Sequence, residues 1–588
     1  MIIKDGDKRN KKSGGRRRKV LLCIVAALLF CIVFAVAMLT LAFNTIDDMW
    51  TEEAYLAAET PQLTLFTIKE DSLHEKIMHT YVGKAEVSEY GVATRGVPVT
   101  VHRLGRISEG KRYYRVEGSG ITSAEDGGEA LYVSANNLTP KKGAVVKEKE
   151  VYVRTPSTIY AEDEGPKIAS FAPKGSCLKV KGYKGMSDEG VVDKYKVEYN
   201  AGDGKTADGY VYGRYVVRSQ EEADAVYNKN GIYDRAKKDN YSSELYGGKA
   251  ASLDFYPHIR PDIEGNEFCA DAKAMYINGV AAVNPKPYVK LIEKTNCNAV
   301  VIDIKDGYLA YESDVAKEVS PTSYKTAYAS VEEFKKGVDA YRKTGAYLIA
   351  RIVVFNDSLY AKDHPEDCIK YGKNSGWPSA YSRDVWEYNV RLAIETVQKF
   401  GFDEIQFDYV RFPETAYEMS KSGKADFRNK YDEEKGQAVQ NFCIYAADQI
   451  HEAGAYLSVD VFGESAYGYM TAYGQYWPGI ANVVDAISAM PYTDHMGVDK
   501  AWEHPYSTML SWSQKAKNQQ DKLEHPAAAR TWITGYDTPN WDPKVKYNEK
   551  RLKDQVRALD KAGLTGGFIP WNAASDLGKY SDYAGVWK

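Results

Sequence analysis

The chain has 588 residues, with 77 Lys and Arg against 81 Asp and Glu, a net charge of −4 and a pI near 6.2. That length suits two to four domains, and the lack of a basic excess excludes an electrostatic footprint for nucleic acid. Hydrophobic residues make up 44% and charged residues 27%, so most of the chain should fold. The 46 tyrosines serve either as amphipathic packing or as stacking platforms for sugars.

Residues 1–19 are a basic tail, ending in Arg16, Arg17, Arg18 and Lys19. Val20 to Phe43 then carries no charge. As a helix this run is about 36 Å long, enough to cross a bilayer. Basic residues ahead of it predict a single-pass protein of the cell membrane, with a cytoplasmic N-terminus and the bulk of the chain outside. The competing reading is a cleaved signal peptide, with "AVA" at 35–37 as the cleavage site. The apolar run continues past that site, which favours a retained anchor. Cys23 and Cys31 lie in the span, and Cys177, Cys269, Cys297, Cys368 and Cys443 are scattered. There is no CxxC and no Cys/His cluster with zinc spacing, so neither metal nor cofactor is expected. The odd count fits free buried cysteines or one bridge, Cys269 to Cys297.

Residues 44–79 are expected as a neck, helical around Asp47 to Thr60. From 80 to 218 the pattern becomes short β-type runs with Gly, Asn and Asp turns. The pattern is duplicated. "GVPVTVHRL", "KRYYRVEG" and "ALYVSANNLTP" in 80–140 are answered by "GSCLKVKGY", "DKYKVEYN" and "GYVYGRYVVR" in 141–218. The two units resemble bacterial SH3-like modules, small β-barrels attached to cell-wall enzymes. The resemblance implies wall-peptide binding or a spacer role. Residues 219–236 read as a polar helix, and a connector runs on to 269.

From 270 to 588 strand candidates alternate with amphipathic helices. The strands are "AKAMYING", "NAVVIDIKDG", "AYLIARIVVFND", "DEIQFDYVRFPE", "AYLSVDVFGES", "VDAISAMPYTDH", "TWITGYD" and "GGFIPWNAAS". In the helix before the fourth, Trp386, Val390, Ala393, Ile394 and Val397 recur at spacings of three and four. Alternation of this kind implies a parallel sheet covered by helices. Eight repeats, with no glycine-rich nucleotide turn after the first strand, point to a closed (β/α)8 barrel over an open doubly wound sheet.

Active sites of such barrels sit at the C-terminal ends of the strands. Strand alternation turns Ile302 and Ile304 to the helices and Asp303 and Lys305 to the axis. By the same rule Arg351, Gln406, Asp408, Ser458 and Asp460 point inward. Arg411, Tyr492, His495, Tyr536 and Trp571 gather at the same mouth. Buried charges must pair or serve a function. The cluster is therefore either a mutually neutralising network or a substrate site. Two carboxylates on facing strands suit cleavage of a glycosidic bond. Asp408 with Asp460 is the first candidate pair, and Glu464 is the alternative acid. Asp303, Lys305, Arg351, Gln406, Arg411, Tyr492, His495, Tyr536 and Trp571 would bind substrate.

The segments "YINGVAAVNPKPYVKLIEKTNCNAVVIDIKDG", "FDEIQFDYVRFPE", "SVDVFGE", "MPYTDH" and "GGFIPWNA" resemble a bacterial glycoside-hydrolase-like barrel family of largely unknown function. The resemblance covers about residues 250–588. It implies a glycosidase-like barrel but no particular substrate; the expected external, wall-facing location makes the substrate a polysaccharide or peptidoglycan. Family 18 chitinases carry DGxDxDxE on the fourth strand. Here the run from Asp403 keeps the last Asp as Asp408, but Val410 stands where that family has its catalytic Glu. α-Amylase-like and α-galactosidase-like barrels place an Asp nucleophile at the end of that strand, which Asp408 matches. The alternative is a barrel that holds glycan as an envelope scaffold without cutting it.

Overall fold

The computed structural model describes residues 11–119, 121, 130–202, 205–239, 246–372 and 376–588. Met1–Val151, Lys179–Val197 and Tyr212–Arg214 form one compact unit. Tyr152–Leu178, Glu198–Val211 and Tyr215–Lys588 form the other.

Helix α1 (Lys11–Met49) contains the apolar run. Its Arg16–Met49 portion is long and apolar enough to cross a membrane, and a signal sequence passes the same test. The stretch expected as a helical neck is instead strand β1 (Thr51–Leu56). Ala54, Leu56 and Ala58 recur at period two and are buried with Leu63, Val99, Val101 and Val133. That spacing suits a pleated strand, with side chains alternating between faces.

The strands that follow are β2 (Gln62–Ile68), β3 (Val87–Thr94), β4 (Pro98–His102), β5 (Arg106–Ser108), β6 (Lys111–Glu117), β7 (Leu131–Ser134) and β8 (Leu138–Thr139). They order as β3-β2-β7-β6-β4-β1-β8, with β5 on β6. Next come β9 (Glu150–Val153), β10 (Ser157–Tyr160), β11 (Ile168–Ala172), β12 (Cys177–Met186), β13 (Val192–Asn200), β14 (Thr206–Tyr212) and β15 (Val216–Val217), ordered β11-β10-β14-β13-β12-β9-β15. With β5 set aside, the two orders are the same strand for strand. The duplication therefore extends to the three strands that open each sheet, and the first copy starts at Thr51.

The expected helix at 219–236 is two short ones, Gln220–Asp224 and Ile232–Ala236. Asn230 and Gly231 lie between them at φ of 57° and 69°. The left-handed pair breaks the hydrogen-bond ladder that a single helix would need.

The barrel strands are β16 (Ala272–Ile277), β17 (Ala299–Lys305), β18 (Tyr347–Val353), β19 (Glu404–Asp408), β20 (Tyr456–Phe462), β21 (Ala486–Met490), β22 (Ala528–Thr534) and β23 (Gly567–Trp571). They pair in parallel and close in chain order. Seven fall within their expected segments, and β22 starts at Ala528, three residues ahead of "TWITGYD". Closure joins Ala272 to Gly567. At Gly567 φ is +97°, and a Cβ there would lie 2.2 Å from the Ala272 carbonyl oxygen, so only glycine fits this seam.

The barrel interior is layered. Arg530 Nη1 meets Glu404 Oε1 at 2.5 Å, both side chains fully buried. Ala274, Tyr276, Val301, Ile349, Trp532 and Ile569 pack as an apolar cluster. The remaining charges lie at the C-terminal ends of the strands. All seven cysteines are free thiols.

Candidate active site

Asp408 is the last residue of β19 and is buried. Its Oδ2 accepts from Arg351 Nη2 at 2.6 Å, and its Oδ1 from the Tyr409 backbone N–H at 2.6 Å. Tyr409 holds a left-handed φ of 55°, uncommon for an aromatic residue. Such strain persists where surrounding structure enforces it, often at functional sites.

Arg351, on β18, is the hub. Its Nη1 donates to Asp303 Oδ1 at 2.7 Å and to Asp306 Oδ2 at 3.0 Å. Its Nε lies 3.7 Å from Asp460 Oδ2. One guanidinium thus faces four carboxyl groups. Asp306 is half-exposed, but the other three are buried, and three negative charges against one positive are too costly there, so protons make up the difference. Burial pushes Asp303 up to about 6, against the pull of Arg351 and with added repulsion from Asp306. Burial also drives Asp460 well above the usual carboxylate range, and the charge of Asp408 adds to that rise. The Tyr276 hydroxyl donates to Asp303 Oδ2, and Trp532 Nε1 donates to Asp460 Oδ1 at 2.8 Å. Asp460 Oδ2 and Arg351 Nε have no hydrogen-bond partner among the described residues. The neutralising network therefore exists, but Arg351 balances only part of the acid around it.

Above this layer opens a cleft of about 660 Å³. Four carboxyl groups line it, those of Asp306, Asp408, Glu414 and Glu464, together with Arg351 and Arg411. Glu464 sits in the helical turn Gly463–Tyr467 that follows β20. The hydroxyls of Tyr473, at 2.6 Å, and Tyr469 donate to its two oxygens. Trp571, Trp532, Tyr492 and Phe462 supply aromatic surface. Trp571 rests against Tyr276, with ring centroids 4.7 Å apart, and the Arg351 guanidinium lies 5.6 Å from the Trp571 ring. The Arg411 guanidinium sits 4.4 Å from the Phe462 ring and pairs with Glu414 at 3.1 Å. His495 is exposed at the rim, its Nδ1 2.9 Å from Asp494, a bond that raises its pKa.

The structure sorts the residues expected at the site. Asp408, Glu464, Arg351, Arg411, Tyr492, His495 and Trp571 meet in the cleft. Asp303, Asp460 and Gln406 point inward but are buried. Gln406 Nε2 is spent on Ser488 Oγ at 3.0 Å. Tyr536 braces the rim, its ring 5.8 Å from that of Tyr492 and its hydroxyl 2.6 Å from Asp494 Oδ1. Val410 is fully buried and offers no group to the cleft.

Lys305 corrects the expectation that it faces the axis. The β17–β18 register shifts between Asp303 and Lys305, which sets Lys305 beside Ile352. A one-residue shift turns a side chain to the other face of the sheet. Lys305 Nζ accordingly binds Asp357 Oδ2 at 2.6 Å and Asn389 Oδ1, on the Arg383–Phe400 helix, at 2.8 Å. Sequence reasoning missed Asp306, Tyr276 and Trp532. The inward series Arg530, Trp532, Thr534 could have found Trp532. Asp306 follows the bulge, where alternation no longer predicts direction.

A closed parallel barrel with an acid-rich, aromatic cleft at the C-terminal ends of its strands is a carbohydrate-active-enzyme-like fold. Residues 274–577, just over half of the chain, match the model of a family described as a putative glycosyl hydrolase domain, and the chain belongs to that family. Among solved structures it is similar to a hypothetical protein from Ruminiclostridium thermocellum ATCC 27405, with 30% identity over 32% of this chain and 97% of that one, at a TM-score of 0.27. It is also similar to the PgaB (BpsB) glycoside hydrolase domain from Bordetella bronchiseptica, with 10% identity over 54% and 99% of the two chains, at a TM-score of 0.41. A GH18 chitinase from Pseudoalteromonas aurantia matches with 12% identity over 53% and 98%, at a TM-score of 0.31. No curated protein matches the chain.

Proposed function

We propose that this protein is a membrane-anchored, extracytoplasmic glycoside hydrolase acting on a cell-wall or surface polysaccharide. The observation that carries the reading is the juxtaposition of Asp408 and Glu464 in one open cleft with Trp571 and Tyr492. Asp408 acts as nucleophile or as electrostatic partner of the developing oxocarbenium ion. Glu464, held by two tyrosine hydroxyls, acts as acid and base. Asp460 stays beneath as a neutral acid and positions Arg351 rather than touching sugar. Asp303 and Asp306 share the guanidinium and fix its plane. The aromatic faces take the apolar faces of sugar rings. Four carboxyl groups against two arginines leave the cleft acidic, which favours a neutral glycan over a polyanionic one.

The apolar helix α1 supports the anchored, external location, as a retained span. We assign the two repeated β units, SH3-like in character, as stalk or wall-binding modules. Their shared strand order supports a common origin.

The test is release of reducing ends from purified envelope polysaccharides by the full chain in detergent. Wild type should release them. Asp408→Asn and Glu464→Gln should bind the same glycan and release none. Binding without release by wild type across neutral glycans would make the barrel a glycan-holding scaffold.

A further inference from the structure

The first β unit does not merely follow the apolar helix; it packs down along its end. In the last turns of α1, Thr40, Phe43 and Asn44 are half-buried and Asp47 is buried, while Leu39, Leu41, Thr45 and Ile46 stay exposed. Positions 40, 43, 44 and 47 form a single helical stripe. Thr40 lies within the uncharged run, about 6 Å below Asn44 along the axis. Whatever covers this stripe reaches the depth at which α1 leaves hydrocarbon.

The covering element includes helix α2 (Leu73–Ile77) and the π-helical turn Met78–Val82. Lys76 Nζ donates to Asn44 Oδ1 at 3.0 Å. A buried charge network holds the segment in place. Arg106 Nη2 meets Asp47 Oδ2 at 3.0 Å, Arg106 Nε meets Glu70 Oε1 at 2.6 Å, and His79 Nδ1 lies 3.0 Å from Glu70 Oε1. The Arg106 guanidinium is also 5.8 Å from the Phe43 ring. From this clamped segment Ile77, Tyr81 and Val82 project with 41%, 68% and 55% of their surfaces exposed.

We propose that Leu73–Val82 is a second membrane contact, a foot whose Ile77, Tyr81 and Val82 sit in the lipid interface beside the exit of α1. The occupant of this patch is the bilayer, because Lys76, next to Ile77, bonds Asn44 of α1 and so holds the patch beside the end of the apolar run. Tyrosine with aliphatic neighbours suits the headgroup–acyl boundary, where one end of the ring is wet and the other apolar. The consequence is orientation: the first β unit is seated on the membrane at two points instead of swinging on one. The inference rests on α1 being a retained span.

The experiment uses the full chain in phosphatidylethanolamine–phosphatidylglycerol vesicles, with Cys23, Cys31, Cys177 and Cys269 replaced by serine. Nitroxide labels are placed singly through Ile77→Cys, Val82→Cys, Lys550→Cys as an exposed reference, and a restored Cys31 as a reference inside the span. Collision with oxygen against a water-soluble nickel chelate is then measured. At 77 and 82 the oxygen-to-nickel ratio should exceed that at 550 several-fold and approach that at 31. A lipid-like value at 31 with water-like values at 77 and 82 overturns the foot and leaves the span. A water-like value at 31 as well overturns the span itself.

Discussion

The carboxyl group of Asp303 offers the sharpest physical test of the site. Burial raises it from 3.8 to about 6 despite its bond to Arg351. A rise of about two units at about 1.4 kcal/mol each is about 3 kcal/mol. Between about pH 4 and pH 6 the folded chain keeps a proton that the unfolded chain releases. Stability therefore falls as pH rises through that window, and the deficit is constant above it. Asp303→Asn removes this dependence. The asparagine also changes the bonds to Arg351 and Tyr276, but that offset does not vary with the titration of Asp303. Relative to wild type, the variant should therefore gain about 3 kcal/mol between pH 4 and pH 7. The assay is a urea titration at each pH followed by tryptophan fluorescence, which reports the barrel because every tryptophan except Trp50 lies in residues 377–587. A variant-minus-wild-type difference that is flat across the window would mean Arg351 cancels burial, one that falls with pH would mean Arg351 outweighs it, and either would refute the proton-holding cluster.

Asp408→Asn and Glu464→Gln should each lower glycan cleavage by about 10²–10⁴-fold with the dissociation constant near wild type; an active Glu464→Gln would remove it from the acid/base role. Trp571→Ala should raise KM about tenfold through the lost ring platform, about 1.4 kcal/mol, and an unchanged KM in steady-state kinetics would refute stacking there. Lys305→Met leaves Asp357 buried without its ammonium partner and should cost about 3–5 kcal/mol in the urea titration. Glycan affinity should stay unchanged in the same variant, because Lys305 faces the helix layer; a weakened affinity with intact stability would return it to the site.

What the sequence determined was local and periodic. Eight segments such as "AYLSVDVFGES" alternate strand-like runs with helical ones; seven contain their barrel strand whole, and "TWITGYD" holds the second half of its own. The uncharged run to Phe43 declares a helix by composition, and the repeated β pattern announces the two sheets. Alternation also placed Asp408, Arg351 and Asp460 on the inner face, because period two follows from the pleat and needs no knowledge of neighbours. The tertiary structure decided everything that depends on a partner. A register shift against β18 turned Lys305 outward, since hydrogen bonding to the next strand, not the run "VVIDIKDG", sets where a bulge falls. Depth within the barrel separated Asp460, sealed beneath Arg351, from Glu464, a loop residue aimed into the cleft by Tyr469 and Tyr473. β1 joined its sheet because β4 offers an edge that captures Thr51–Tyr55 as it leaves the helix. Direction along a strand is written in one chain segment, but burial, register and proton affinity are properties of what other segments bring alongside it.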